Sequence, residues 1–101
     1  MIHFAELFMK IKQTLETLIR QAMVDAGIPE PKPIVKQSQR AEFGHYQANG
    51  VMAAAKQLKQ APRDLAKAIL ATLPPQPDFS FEIAGPGFIN VRLSNDCLSR
   101  A

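Results

Sequence analysis

Between Phe79 and Leu93 the apolar residues fall into a strict period of two, interrupted midway by Gly85-Pro86-Gly87. Phe79, Phe81 and Ile83 alternate with Ser80, Glu82 and Ala84. Beyond the interruption, Ile89, Val91 and Leu93 alternate with Phe88, Asn90 and Arg92. A period of two sends successive side chains to opposite faces of a strand, and a helix cannot gather such a set on one side. The pattern predicts two antiparallel strands joined by a tight turn, with Pro86 and Gly87 at the two central positions of a type II turn.

Upstream the period becomes that of a helix. From about residue 3 to Ala26, the residues Phe4, Phe8, Ile11, Leu15, Leu18, Ile19, Ala22 and Ala26 form one apolar stripe, with Glu16 and Arg20 four apart on the polar side. Gly27 followed by Pro29, Pro31 and Pro33 ends that helix. Ile34 to Gln39 reads as an edge strand, since Ile34 and Val35 favour a pleated surface. Phe43 to Asn49 reads as a loop entering a second helix, with Ala48, Val51, Met52, Ala55 and Leu58 on its buried face. Pro62 suits the first turn of a third helix that buries Leu65, Ala66, Ile69, Leu70 and Leu73 and stops at Pro74-Pro75. Met9, Met23 and Met52 lie within or beside these stripes and are expected in or near the core. Ser94 or Asn95 can cap a further helix, with Asp96 in its first turn, so residues 94–101 are expected to begin a connecting helix toward another domain. The resulting expectation is α+β: a single domain with a small antiparallel sheet of about three to four strands backed by helices.

A chain of 101 residues is long enough for one such core, and 47% hydrophobic residues place it among folded, soluble domains rather than disordered tails. Twelve Lys and Arg against nine Asp and Glu give a net charge of +3, a weak preference for a polyanion. The cations are scattered, so a basic surface has to be assembled by folding. The single cysteine, Cys97, excludes an internal disulfide and supplies no zinc-ligand pair, which points to a reducing cytoplasm and no metal. Glu6 and Lys10 interrupt the apolar N-terminus, which is neither a signal peptide nor a membrane span.

Catalytic chemistry finds little support. His3 and His45 have no neighbour in sequence to orient them as acid or base, and Ser80, Ser94 and Ser99 lack a nucleophile-elbow context. Asp96 beside Cys97 disfavours a thiolate. Gly85-Pro86-Gly87 is not a phosphate loop: proline removes a donor, and a strand rather than a helix follows. No catalytic, metal or cofactor-binding residue is expected.

What remains is a surface. Phe88, Asn90 and Arg92 share the outer face of their strand, where an aromatic ring can stack on an unpaired base, an amide can bond its edge and a guanidinium can meet a phosphate. The competing reading is that another element or domain packs on this face, making the chain a structural module that does not contact RNA. Phe43, Tyr46, Gln47 and Asn49 form a second constellation, which either packs under the sheet edge or adds contacts to the same ligand.

Two segments carry a family resemblance. Phe43-Gly44-His45-Tyr46-Gln47-Ala48-Asn49 and Glu82-Ile83-Ala84-Gly85-Pro86-Gly87-Phe88-Ile89-Asn90 resemble, in order and spacing, the two signatures of the N-terminal domain of bacterial-type arginyl-tRNA synthetase. The likeness runs from about Met9 onward and includes Ala61-Pro62-Arg63. It implies that residues 1–93 are a tRNA-binding domain placed before a class I catalytic domain of the same chain. It further implies contact with the D-loop at the outer corner of arginine-accepting tRNA, through Phe88 and Asn90, with Gly85 and Arg92 beside them. The parent enzyme would attach arginine to tRNA using ATP in the cytoplasm, with no membrane or DNA partner. No His-x-Gly-His or Lys-Met-Ser-Lys-Ser sequence occurs, so this part is expected to be inactive alone and to hold no ATP. His45 stands where the family usually has Asp, which makes it a poor cap for the helix expected to follow.

Overall fold

A computed structural model describes residues 4–39 and 44–94. Helix α1 (Phe4–Asp25) leads to strand β1 (Val35–Gln37), strand β2 (Tyr46–Ala48), helices α2 (Val51–Leu58) and α3 (Pro62–Thr72), and strands β3 (Phe79–Ala84) and β4 (Phe88–Leu93). The sheet order is β1-β2-β4-β3, with every pair antiparallel. The expected α+β class and hairpin are both present. The expected helix over 94–101, Phe43 and Cys97 lie outside the described residues, Ser94 excepted.

One face of the sheet carries the core. Val35, Tyr46, Ala48, Ile89, Val91 and Leu93 meet Leu15, Ile19 and Met23 of α1, Val51 and Ala55 of α2, and Leu65, Ala66 and Ile69 of α3. The α1 stripe closes where Ile28 N–H bonds back to Met23 O at 3.0 Å. Glu16 pairs at 4.0 Å with Lys12, one turn before it, rather than with Arg20, one turn after it, as the spacing suggested; an exposed pair of this kind contributes little. Met23 is buried and Met52 half-buried, whereas Met9 is 61% exposed and lies outside the core stripe.

Three local expectations are corrected. The segment read as a loop at 46–48 is strand β2, because its three residues pair on both sides, with Gln37, Lys36 and Val35 of β1 and with Val91, Asn90 and Ile89 of β4. Ala48 accordingly belongs to the sheet, not to α2. Ile34 is not in the edge strand: its φ of 48° turns the chain out of extended geometry before Val35, an uncommon conformation for a β-branched residue. Finally, the hairpin turn is shifted by one residue. Gly87 N–H bonds to Ala84 O at 3.3 Å, so Gly85 (φ 54°) and Pro86 hold the central positions. The reason lies in α3: Gly87, at φ 153°, is buried against Pro62, and a Cβ placed there would lie 2.7 Å from Pro62 Cβ.

Candidate nucleic-acid interface

Strand β4 is central, so its alternation has a physical consequence. Ile89 and Val91 are fully buried beneath it, while Phe88, Asn90 and Arg92 point to the side opposite the helices. Lys36, Ser80, Glu82 and Arg92 on this outer side are exposed, so no helix among the described residues covers them. The sheet register lines up Lys36, Gln47, Asn90 and Glu82 across four strands, with Ser80 opposite Arg92 and Ala84 opposite Phe88.

Within this row Asn90 is only 5% exposed. Gln47 Nε2 donates to Asn90 Oδ1 at 2.9 Å, a side-chain bond between directly opposed residues that orients the carboxamide. Phe88 is half-buried, and a Cβ built on Gly85 would sit 3.6 Å from its ring, so the turn supports one side of the aromatic. Arg63, in the first turn of α3, donates to Gly85 O. Helix, turn and strand therefore hold one another; the outer face carries an aromatic ring, a held carboxamide and the exposed cations Arg92 and Lys36, with the exposed Arg63 at the turn that ends it. Arg63 and Lys36 escaped sequence reasoning as site residues. The Ala61-Pro62-Arg63 segment was a signal for the first, whereas Lys36 became visible only through its register with Gln47.

The second constellation divides. Gln47 joins Phe88, Asn90 and Arg92 on the outer face. Tyr46, one residue earlier, faces the core, is 1% exposed, donates its hydroxyl to Phe8 O at 3.1 Å and packs its ring 6.3 Å from that of Phe8. Tyr46→Phe is expected to cost about 1 kcal/mol by removing this bond from a part-buried carbonyl, read as a lower denaturant midpoint at unchanged slope. Asn49 follows β2; its N–H donates to Ile34 O at 3.0 Å, and its Oδ1 is buried without a partner among the described residues.

His45 caps no helix, because β2 follows it. Its N–H donates to Val91 O at 2.8 Å and its Nδ1 accepts from Leu93 N–H at 3.0 Å. A carboxylate could accept the same N–H, so an Asp at this position and a histidine with its proton on Nε2 can do the same work at the end of the β2–β4 ladder. No cluster of His, Cys, Asp and Glu suited to a metal occurs among the described residues, and none of their helices is long and apolar enough to cross a membrane.

Residues 9–93 match the family model described as the arginyl tRNA synthetase N terminal domain. The chain belongs to that family. As an arginyl-tRNA synthetase N-terminal domain, it is 51% identical over 96 residues to the arginine–tRNA ligase of Hahella chejuensis (strain KCTC 2396), covering 92% of this chain and 16% of that protein. It is 45% identical over 93 residues to the arginine–tRNA ligase of Laribacter hongkongensis (strain HLHK9), covering 91% of this chain and 16% of the relative. The chain thus spans about a sixth of these curated relatives. Among solved structures, Thermus thermophilus arginyl-tRNA synthetase superposes with a TM-score of 0.75 at 27% identity, over 88% of this chain and 15% of that one. The Plasmodium falciparum arginyl-tRNA synthetase does so with a TM-score of 0.76 at 22% identity, over 89% and 17%, which shows the same fold for this N-terminal domain.

Proposed function

We propose that the chain is the non-catalytic tRNA-binding part of an arginine–tRNA ligase and that its outer sheet face contacts the D-loop at the corner of arginine-accepting tRNA. The observation that supports this most is the row formed by Phe88, Asn90 and Arg92 on the side opposite the helices, with Asn90 held by Gln47. Phe88 stacks on an unpaired base, Asn90 bonds its edge, and Arg92 with Arg63 meets the phosphates nearby. Gly85 supports the ring and spaces the turn. Residues 1–93 act as the RNA-binding unit; arginine and ATP bind in a separate catalytic domain of the parent, which joins arginine to tRNA in the cytoplasm. This part supplies affinity and some of the identity recognition, and no step of the chemistry.

The test is Phe88→Ala. One base–aromatic stack is worth about 1 to 3 kcal/mol, so the Kd of the chain for tRNA is expected to rise by about fivefold or more at fixed salt, with the circular dichroism of the folded domain retained. In the parent enzyme the same change is expected to raise the KM for tRNA while arginine-dependent ATP chemistry stays nearly intact. Unaltered tRNA affinity and KM would remove Phe88 from the interface and favour a face that packs on another domain.

A further inference from the structure

Asn90 combines two properties that rarely coincide. It is the only buried polar or charged residue other than Tyr46 among the described residues, and it stands on the outer face of the sheet. A carboxamide has an acceptor end and a donor end of nearly equal size, and the two are distinguished only by what surrounds them. Here the acceptor end is held toward β2, since Asn90 Oδ1 receives the hydrogen bond from Gln47 Nε2 through one of its two lone pairs. Glu82, the cross-strand neighbour on the other side, makes no hydrogen bond to Asn90 among the described residues. The end of Asn90 that no group among the described residues engages is its amide donor.

Resting on the RNA-binding reading above, we propose that Gln47 is a specificity-determining positioning residue: by holding Asn90 Oδ1 toward β2 it turns the Asn90 amide donor toward the bound base, so that the face selects a base edge presenting an acceptor. Gln47 can do this because it sits opposite Asn90 in a register set by the β2–β4 ladder, so both carboxamides are carried by regular strands rather than by a loop. Without a donor at position 47 the Asn90 carboxamide is free to turn over. It then offers either end, and discrimination between acceptor and donor edges is lost.

The test uses the 101-residue chain and a transcript of an arginine-accepting tRNA. D-loop nucleotides are replaced, one at a time, by analogues that lack a single base acceptor, such as a deazapurine. One replacement is expected to weaken binding by the unsubstituted chain by about tenfold, the scale of a lost directed base contact. In Gln47→Glu the carboxylate accepts from the Asn90 amide and turns its oxygen outward, so the same replacement is expected to have little effect. Gln47→Lys keeps a donor against Asn90 Oδ1 and is expected to retain the discrimination. Each result is a ratio of two Kd values within one variant, so the added charges cancel. Should Gln47→Glu fail to fold, Gln47→Met removes the donor without adding charge and is expected to reduce the ratio in the same direction.

A space-filling role for Gln47 predicts the same ratio in the acidic and basic variants. Equal ratios, full acceptor dependence in Gln47→Glu, or no acceptor dependence in the unsubstituted chain overturns the proposal. A separate outcome strikes the reading beneath it: if Phe88→Ala and Asn90→Ala both leave affinity for the unmodified transcript unchanged, RNA does not bind this face at all.

Discussion

Gly50→Ala is expected to destabilise the chain by about 3 kcal/mol or more, the upper range for forcing extra volume into packed structure. In a domain of this size that lowers the thermal midpoint by roughly 15 °C, at about 4 to 8 °C per kcal/mol. The cause is close approach, not conformation. Gly50 has φ −77° and ψ −11°, which any residue adopts, but a Cβ there would lie 1.7 Å from Lys32 O and 3.1 Å from Pro33 C. The crossing segment has little freedom to withdraw, because Asn49 N–H bonds to Ile34 O at 3.0 Å and Gly50 N–H to Pro33 O at 3.1 Å. The turn at Ile34 that lets the chain enter β1 is part of the same corner. Since β2 runs directly into this corner, separating the two segments would also disturb the strand that carries Gln47. A thermal midpoint within a few degrees of the parent would show that the strap over residues 32–34 gives way easily.

Ile89→Ala is expected to cost about 2 to 5 kcal/mol, the usual range for emptying a fully buried isoleucine site. Ile89 has no exposed surface and lies under the central strand opposite Ala48 and Ile83, so neighbours close the cavity only by bending the sheet. It is also the residue between Phe88 and Asn90. This makes it a sharp contrast with them: at a temperature where the variant remains folded, its Kd for tRNA is expected to stay within about twofold of the parent, whereas Phe88→Ala loses affinity with the fold intact. Denaturant titration and tRNA titration on the same samples separate the two. A tRNA affinity that fell as far as in Phe88→Ala would mean that the core side of β4 controls the geometry of its outer side more tightly than regular pairing implies.

Periodicity was enough wherever a run was long. Helix α1 and the β3–β4 hairpin were legible because many residues repeat the same period, and α3 because Pro62 and Pro74 bracket its stripe. Strand β2 was not legible: three residues cannot display a period, and Tyr46-Gln47-Ala48 becomes a strand only because β1 and β4 supply hydrogen-bonding edges on both sides. That omission separated Tyr46 from Gln47. Read as a loop, the two looked like a single polar–aromatic cluster; as a strand, they stand on opposite faces, one closing the core and the other holding Asn90. The turn failed more narrowly. Local preferences allow either placement of the glycine-proline pair, and the contact of Gly87 with Pro62, 25 residues upstream, decides between them.

The amino-acid sequence by itself determined the alternation that puts Phe88, Asn90 and Arg92 on one side of a strand and Ile89, Val91 and Leu93 on the other. That division follows from the backbone's two-residue repeat and needs no tertiary information. It also determined the family, through two ordered signatures. Tertiary structure alone decided which residue lies beside Asn90 and which end of its amide faces Gln47. Register between strands 43 positions apart depends on how the whole sheet packs on its helices, and no local pattern encodes it.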